Sequence, residues 1–341
     1  AALLKGYLRF QIRGEALMNR IAERIQSQGM LPVVRAACAE QAVETAKTLA
    51  QENFHVIEIP STCPDVQDIL KALSFCCPQT EYGCSMISDT KQLHMALESG
   101  ARFVFINATD KEVIDEAVKT EAAVFPVAGT MSEIDAAVRR GFDRISISPI
   151  NFIGGPDFVL KLKRKYPGIR FMPRGGIASE TVEDYLSFGN VFACAGSWLA
   201  PRDLMEKGAW EALRIRAQEA VYAMMGFQIE SVDIESTETA VQDIYRFQEI
   251  FHLSAETGVL KSVGGFLNFT KESFPKETKV RLTLSTNHIK RSVAYLESKG
   301  YLFIKETAPV DENGRYPYIY FSDPIGGISV RLLQKDSRKE Q

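Results

Sequence analysis

A short, unbroken apolar run recurs eight times between Leu31 and Ala195, and a segment of helical periodicity separates each run from the next. The runs start about every 20 to 25 residues and read LPVVRAA, HVIEIP, TEYGCS, RFVFIN, AAVFPV, DRISIS, IRFMPR and NVFACA. Unbroken runs, unlike alternating ones, indicate strands covered on both faces, and the intervening helices indicate parallel crossovers. Eight such units predict an α/β fold, a (β/α)8 TIM barrel.

Glycines at the ends of the helical segments agree with this count. Gly29, Gly100, Gly141 and Gly189 each stand just before a predicted strand, where a glycine that caps a helix is expected. The eight units occupy about 170 residues, whereas barrels of this type typically need roughly 250. We therefore expect very short loops.

The length of the chain predicts a second domain, because 341 residues exceed the roughly 100 to 200 of an ordinary domain. We place the barrel at residues 18–224 and the second domain at residues 225–335. Residues 1–17 are expected to be an extension upstream of a natural start at Met18, and residues 336–341 a polar tail.

The carboxyl ends of the strands are where a barrel of this type carries its function. Glu58 lies late in the second predicted strand, Arg35 follows the first, Ser146 ends the sixth and Arg174 ends the seventh. One carboxylate and two arginines therefore face one small pocket, an arrangement that favours an anionic ligand.

Two glycine-containing loops follow the last two strands. Gly175 and Gly176 come before a helix predicted to open at Ser179, and Gly196 and Ser197 follow the eighth strand. Backbone N–H groups of such loops can surround a phosphate near a helix N-terminus, and phosphate sites in this fold lie after strands seven and eight. These loops predict binding of phosphate or carboxylate, with a simple tight turn as the alternative.

Several segments resemble the 2-keto-3-deoxy-6-phosphogluconate (KDPG) and 4-hydroxy-2-oxoglutarate (KHG) aldolase family: LPVVRA, VIEIPST, FPVAGTMSEIDAAVRRGFD, GGPDFV, FMPRGGI and AGSWLAP. The resemblance runs from about Ile21 to Ala223. It implies a trimeric class I lyase that forms a Schiff base with pyruvate. It also implies that the glutamate of the second strand, Glu58 here, moves protons in the active site.

Five positions of this sequence depart from the pattern of that family. The resemblance places the Schiff-base lysine of a KxFP pattern in strand six at Ser146. It also places an arginine at Thr62, a threonine at Met86, a proline at Asn107 and the threonine of a PTGG pattern at Arg174. Serine cannot form an imine, so the class I mechanism lacks its nucleophile.

No other lysine is placed to substitute for it. The barrel lysines all fall in predicted helices rather than at strand ends: Lys47, Lys71, Lys91, Lys111, Lys119, Lys161, Lys163 and Lys165. Metal-assisted cleavage would need several carboxylates or histidines around one open site, and the strand ends supply only Glu58. We therefore predict neither a metal nor a cofactor.

Three functions remain open for the barrel. The first is a degenerate aldolase that binds a small anionic 2-oxo acid or sugar-acid phosphate without cleaving it. The second is a carbon–carbon lyase that releases pyruvate, as the resemblance implies. The third is enolisation or decarboxylation of a keto acid, with Glu58 as the base.

The segment after Gly226 shows a doubled pattern of strand, helix, strand, strand. The strands are QIESVDI, GVLKSVG and GFLNFT in the first half and VRLTLST, YLFIKET and IYFSDPIGGISVRLL in the second. This α+β, βαβββ-duplicated pattern resembles the vicinal oxygen chelate (VOC) superfamily, which includes glyoxalases. Its four metal-ligand positions fall on Ser231, Asn268, Arg281 and Arg331, which are not metal ligands, although the two arginines could bind a carboxylate.

The net charge of −3, with both signs mixed along the chain, argues against nucleic acid and membrane surfaces as partners. No apolar stretch reaches the roughly 18 residues of a membrane helix. The six cysteines show no CxxC or Cys-His spacing, which favours a cytoplasmic protein with reduced thiols. Cys84 and Cys194 lie near strand ends, but no histidine is placed to activate either thiol.

Overall fold

A computed structural model describes residues 16–235, 240–251, 255–257, 261–263, 266–311 and 316–335. Most of the predicted extension at residues 1–17 and the whole predicted tail at residues 336–341 lie outside the described residues. The chain divides into two compact units, and the division falls between Met224 and Met225.

The first unit alternates strands and helices. It begins with α1 (residues 16–28). The strands are β1 Met30–Pro32, β2 Val56–Pro60, β3 Glu81–Ile87, β4 Phe103–Asn107, β5 Ala123–Ala128, β6 Arg144–Ile147, β7 Arg170–Pro173 and β8 Cys194–Gly196. The helices that follow are α2 Ala39–Gln51, α3 Val66–Cys76, α4 Thr90–Glu98, α5 Lys111–Ala117, α6 Met131–Arg139, α7 Gly155–Lys165, α8 Val182–Leu186, α9 Arg202–Glu206 and α10 Trp210–Met225.

All the strand pairs of this unit are parallel. β2 to β7 form one sheet in sequence order, and β1 pairs with β8. A bridge between Val33 and Glu58 connects the β1 segment to β2. Bridges from Phe171 to Val191 and from Arg174 to Ala195 connect the β7 segment to the β8 segment, which completes a ring of eight strands. The predicted parallel α/β architecture is confirmed, and β1 and β8 are shorter than their apolar runs.

The interior of the barrel is filled by aromatic rings. Phe125 stacks on Phe105 with ring centroids 5.2 Å apart and meets the edge of Phe103 at 6.1 Å. Helix α1 packs Ile21 and Ile25 against this same core. A packed core of this kind leaves space for a ligand only above it, at the carboxyl ends of the strands.

Two details of the predicted helices are wrong. Gly29, Gly100 and Gly141 have the positive φ of a C-terminal cap, but Gly189 does not, because α8 already ends at Leu186. Lys119 lies in the turn after α5 and not in a helix. Neither change brings a lysine to a strand end.

The second unit is a seven-stranded sheet with two helices. Its elements are β9 Gln228–Glu235, α11 Ala240–Phe251, β10 Ala255–Thr257, β11 Lys261–Val263, β12 Leu267–Thr270, β13 Val280–Thr286, α12 Ile289–Ser298, β14 Tyr318–Tyr320 and β15 Ser329–Gln334. The strand order is β10-β11-β12-β9-β13-β15-β14. β9 pairs with β12 in parallel, β13 with β15 in parallel, and β9 with β13 antiparallel, so the two halves repeat one arrangement around the β9–β13 pair.

The predicted strands of this unit need three corrections. The segment 301–307 contributes only one bridge, between Phe303 and Phe321, with backbone hydrogen bonds from Ile304 to Tyr320 and from Ser322 to Leu302. The last predicted run is two strands, β14 and β15, separated by a turn that contains Gly326 and Gly327 with positive φ. A strand before GVLKSVG, β10, was not predicted, and residues 258–260 of that run lie outside the described residues.

Within the described part of the chain, no helix is both long enough and apolar enough to cross a membrane.

Replacement of Phe125 by alanine tests the barrel core. The ring is fully buried, so Phe125→Ala should lower the free energy of unfolding by about 3 to 5 kcal/mol through lost burial and the cavity left behind. Urea denaturation measures this change. Phe75→Ala is the matched control, because Phe75 is 88% exposed and its loss should cost less than about 0.5 kcal/mol. Equal effects of the two changes would contradict the packing described.

Candidate active site at the carboxyl end of the barrel

A cavity of about 1140 Å³ opens at the carboxyl ends of the barrel strands. Seven of the eight predicted site residues line it: Arg35, Glu58, Arg174, Gly175, Gly176, Gly196 and Ser197. The eighth, Ser146, is fully buried and lies beneath the cavity wall. The structure thus brings the predicted residues to one place, but it removes Ser146 from contact with a ligand.

Arg174 and Glu58 form a bidentate ion pair at the base of this cavity. Nη1 and Nη2 of Arg174 donate to Oε1 and Oε2 of Glu58 at 3.0 and 2.9 Å. The guanidinium lies over the ring of Phe105, 4.1 Å from its centroid. Two parallel hydrogen bonds and a stacked face fix the plane of the guanidinium, which a lysine could not achieve.

Ser146 supports the same guanidinium from below. Its Oγ accepts a hydrogen bond from Nε of Arg174 at 2.8 Å and donates one to the carbonyl of Met172 at 3.1 Å. Ser146 and Met172 are register partners on β6 and β7, so the small side chain of Ser146 leaves room for Arg174 to cross above it. The hydroxyl is committed as donor and acceptor, which leaves it no role as a nucleophile.

The guanidinium retains two N–H groups that these bonds do not use. An arginine has five N–H donors, and the bonds to Glu58 and Ser146 take three of them. Arg35, in the segment that follows β1, is exposed on the cavity wall and adds a second positive charge. Because Glu58 neutralises Arg174, Arg35 is the stronger attraction for a ligand that approaches from solvent.

The loop of Gly175 and Gly176 turns tightly, but the helix expected to open at Ser179 behind it does not start there. Gly175 and Gly176 have φ values of +89° and +76°. A Cβ on Gly176 would lie 2.6 Å from the side chain of Asn151, so only glycine fits there. However, α8 starts at Val182 instead of Ser179 and has only five residues, so it is too short to supply a helix dipole. Any anion binding by this loop would therefore depend on its backbone amides.

The partner of Arg174 was not predicted from the sequence. Arg174 and Glu58 were placed in the same pocket, but the arginine was expected to bind the ligand and not the carboxylate. Phe105 was also missed. Met86, expected only as a departure from the family pattern, lines the cavity with a positive φ of 58°. A signal was present in the sequence, since a strand-end glutamate that lacks a lysine needs another cation.

Cys84 lies next to Glu58 in the barrel wall and is not a nucleophile. Burial, followed by the charge of Glu58, raises the pKa of the Cys84 thiol to about 12. The thiol is therefore protonated at neutral pH and unreactive.

The four predicted positions in the second unit share one face of its sheet. Asp233 on β9 is the register partner of Arg281 on β13 and of Asn268 on β12. Thr283 on β13 is the register partner of Ser231 on β9 and of Arg331 on β15. Asp233, which sequence analysis missed, accepts a hydrogen bond from Nε of Arg281 at 2.9 Å. No group of three or more His, Cys, Asp or Glu side chains that could hold a metal ion is found among the residues the structure describes.

Breaking the ion pair of the barrel tests its contribution to stability. Arg174→Met leaves the carboxylate of Glu58 buried without a cation and should lower the free energy of unfolding by about 3 to 5 kcal/mol. Adding Glu58→Gln to this variant removes the unpaired charge and should restore most of the loss. Chemical denaturation of the three proteins provides the comparison. A cost below about 1 kcal/mol for Arg174→Met would mean that the pair behaves like one on the surface.

The comparisons with known proteins concern the barrel. The model of the aldolase family described as KDPG and KHG aldolase matches residues 21–215. A 2-dehydro-3-deoxy-phosphogluconate aldolase from Pseudoalteromonas atlantica is 29% identical over 206 residues, which are 60% of this chain and 96% of the relative. The KHG/KDPG aldolase of Escherichia coli is 27% identical over 201 residues, or 59% of this chain and 94% of the relative.

Solved structures share the fold of this part. A KDPG aldolase from Legionella pneumophila, with pyruvate captured as a covalent carbinolamine, has a TM-score of 0.57 at 24% identity. The aligned part is 59% of this chain and 97% of the Legionella pneumophila chain. A Zymomonas mobilis KDPG aldolase with 3-phosphoglycerate has a TM-score of 0.54 at 23% identity. Here the aligned part is 60% of this chain and 95% of the Zymomonas mobilis chain. Since the family model spans more than half of the sequence, this chain belongs to the KDPG and KHG aldolase family.

Proposed function

We propose that the barrel binds a small anionic 2-oxo acid or sugar-acid phosphate without forming a Schiff base. The observation that carries this proposal is the guanidinium of Arg174, bound to both oxygens of Glu58 and to Ser146 at the base of the cavity. A guanidinium stays protonated at any ordinary pH and has no lone pair with which to attack a carbonyl. The site therefore has a cation but no amine nucleophile.

The surroundings of the cavity support this interpretation. None of the described residues that line it is a lysine. Lys47 and Lys165 lie in helices, and each forms an ion pair with a carboxylate at the protein surface. The cavity therefore keeps the place of the family's active site without an amine that could attack a carbonyl.

Anion binding is supported by the donors that face the cavity. Arg35 adds positive charge, Arg174 keeps two N–H groups, and the amides of Gly175 and Gly176 lie in a loop that rejects side chains. The relative from Zymomonas mobilis was solved with 3-phosphoglycerate, an acid phosphate. A ligand with a carboxylate or phosphate at one end and a keto or second acid group at the other would offer acceptors to these donors.

Base catalysis by Glu58 is less well supported. Both of its oxygens accept hydrogen bonds from Arg174, so a proton transfer would first have to break a bidentate pair. The lyase reaction of the family is less well supported still, because it needs an amine. The lyase reaction would appear as release of pyruvate from KDPG in the test below.

The remaining features are proposed from resemblance. We propose a trimer for the barrel and a cytoplasmic location for the protein. We also propose that the second unit is VOC-like, because the strand order around its β9–β13 pair repeats as a duplicated βαβββ unit would.

Calorimetric titration tests the binding proposal. 3-Phosphoglycerate and 2-oxoglutarate should both bind the full chain, and Arg35→Gln should weaken binding about tenfold because it removes a charge-assisted hydrogen bond. Arg139→Gln on the exposed end of α6 is the matched control and should leave affinity unchanged. Equal affinity of the two variants, or steady release of pyruvate from KDPG by the wild type, would contradict the proposal.

A further inference from the structure

Met86 lines the barrel cavity in a backbone conformation that its side chain disfavours. Its φ is +58°, in the left-handed region that residues other than Gly, Asn and Asp rarely occupy. It is also 56% exposed, and among the described residues that line this cavity it is the one exposed large apolar side chain. Both the strained backbone and the exposed apolar surface cost free energy, and a glycine at this position would avoid both.

A β-bulge in β3 accompanies this conformation. Between its pairs with β4 at Cys84 and at Ile87, β3 holds one residue more than β4 does. Successive side chains of a regular strand point to opposite faces, yet Ser85 and Met86 both line the cavity. The extra residue therefore redirects Met86 towards the cavity, as bulges beside functional sites commonly do.

Ser61, which follows β2, holds this bulge in place. Its backbone N–H donates to the carbonyl of Ser85 at 2.8 Å, and its Oγ donates to the carbonyl of Met86 at 2.7 Å. The hydroxyl of Thr62 lies 3.9 Å from Sδ of Met86. The two bonds from Ser61 reach only backbone carbonyls, so a glycine at position 86 would accept them equally well. The thioether is therefore not needed to hold the bulge.

The position of Met86 along β3 determines which part of a ligand it can contact. Glu58, which binds Arg174 at the base of the cavity, is the register partner of Gly83, three residues before Met86. Three residues of strand span about 10 Å. An acid group held at the guanidinium of Arg174 would therefore leave Met86 to the far end of the carbon chain of the ligand.

Other side chains that line the cavity are apolar as well. Val33, Phe105 and Val127 line it and belong to one packed cluster of the barrel core. Methionine is unbranched and polarizable, so it adapts to apolar groups of different shape. These side chains can bury the methylene groups of a ligand, and they offer no hydrogen bonds to hydroxyl groups.

We propose that Met86 makes the barrel cavity selective for 2-oxo acids with an aliphatic chain. The thioether contacts the end of the chain, while Arg35 and Arg174 hold the acid group. This inference rests on the proposed function, because it requires an anionic 2-oxo acid in the cavity. It adds the chemical class of the chain and the residue that selects it, and it gives the strained bulge a role in ligand binding.

Calorimetric titration of the full chain with pyruvate and with 2-oxohexanoate tests this selectivity. The two acids differ by three methylene groups, each of which strengthens binding about three- to fourfold when it is fully buried. The wild type should therefore bind 2-oxohexanoate at least about tenfold more tightly than pyruvate. Met86→Gly should reduce this preference to about threefold or less, because only the longer acid loses a contact.

Thermal unfolding of the variants separates a ligand contact from a role in the fold. Met86→Gly relieves the left-handed backbone, so its melting temperature should equal or exceed that of the wild type. Met86→Asn also tolerates this conformation and should also lose the preference, because its side chain is polar. Lys276→Gly is the matched control, since Lys276 has a φ of +57° in the second unit. This change relieves the same kind of strain and should leave the preference intact.

Two results would overturn the inference while leaving the proposed function intact. The first is equal affinity of the wild type for pyruvate and 2-oxohexanoate. The second is the same preference in Met86→Gly as in the wild type, which with a lower melting temperature would assign Met86 to the fold. Binding of neither acid would also overturn the inference, and failure of 3-phosphoglycerate to bind as well would contradict the proposed function.

Discussion

The ion pair between Arg174 and Glu58 is the interaction on which the barrel site depends. Glu58 is 1% exposed, and a carboxylate buried to that extent is stable only beside a cation that also satisfies its oxygens. Arg174 does both, with two hydrogen bonds and a stacked face. The pair also joins β2 to the end of β7, across a ring that is otherwise held there by single bridges.

We propose that this arrangement lets the family fold persist without a Schiff-base lysine. The resemblance places a lysine at Ser146 and a threonine at Arg174, which implies that the positive charge has moved from β6 to the end of β7. In the structure, the hydroxyl of Ser146 on β6 accepts a hydrogen bond from the longer side chain of Arg174. The cation beside Glu58 is a guanidinium and not an amine. A shared fold therefore does not establish a shared reaction.

Much of the fold followed from the sequence, because parallel strands buried on both faces leave apolar runs that can be counted. The residues at the strand ends could be placed in one pocket for the same reason. The bond between Arg174 and Glu58 was not predicted: a glutamate without a lysine indicated that some cation was needed, but the two residues are 116 positions apart and their pairing depends on side-chain direction within a closed ring. The glycine signal for a helix end was wrong at Gly189, and the predicted start of α8 at Ser179 was wrong, because α8 is a short helix from Val182 to Leu186. In the second unit only four positions of the sheet face that carries Arg281 were identified from the sequence, Ser231, Asn268, Arg281 and Arg331. Asp233 was missed because its strand shows an ordinary alternation of polar and apolar residues.

Borohydride trapping with pyruvate, read by intact mass and peptide mapping, tests the central claim most directly. Arg174 cannot form an imine, and none of the described residues that line the cavity is a lysine, so the wild-type chain should carry no reduced pyruvate adduct on any barrel residue. A variant that combines Ser146→Lys with Arg174→Thr returns an amine to β6 and serves as the positive control, with the adduct expected at position 146. A stable adduct on a lysine of the wild-type barrel would contradict the account and would reveal a relocated Schiff base.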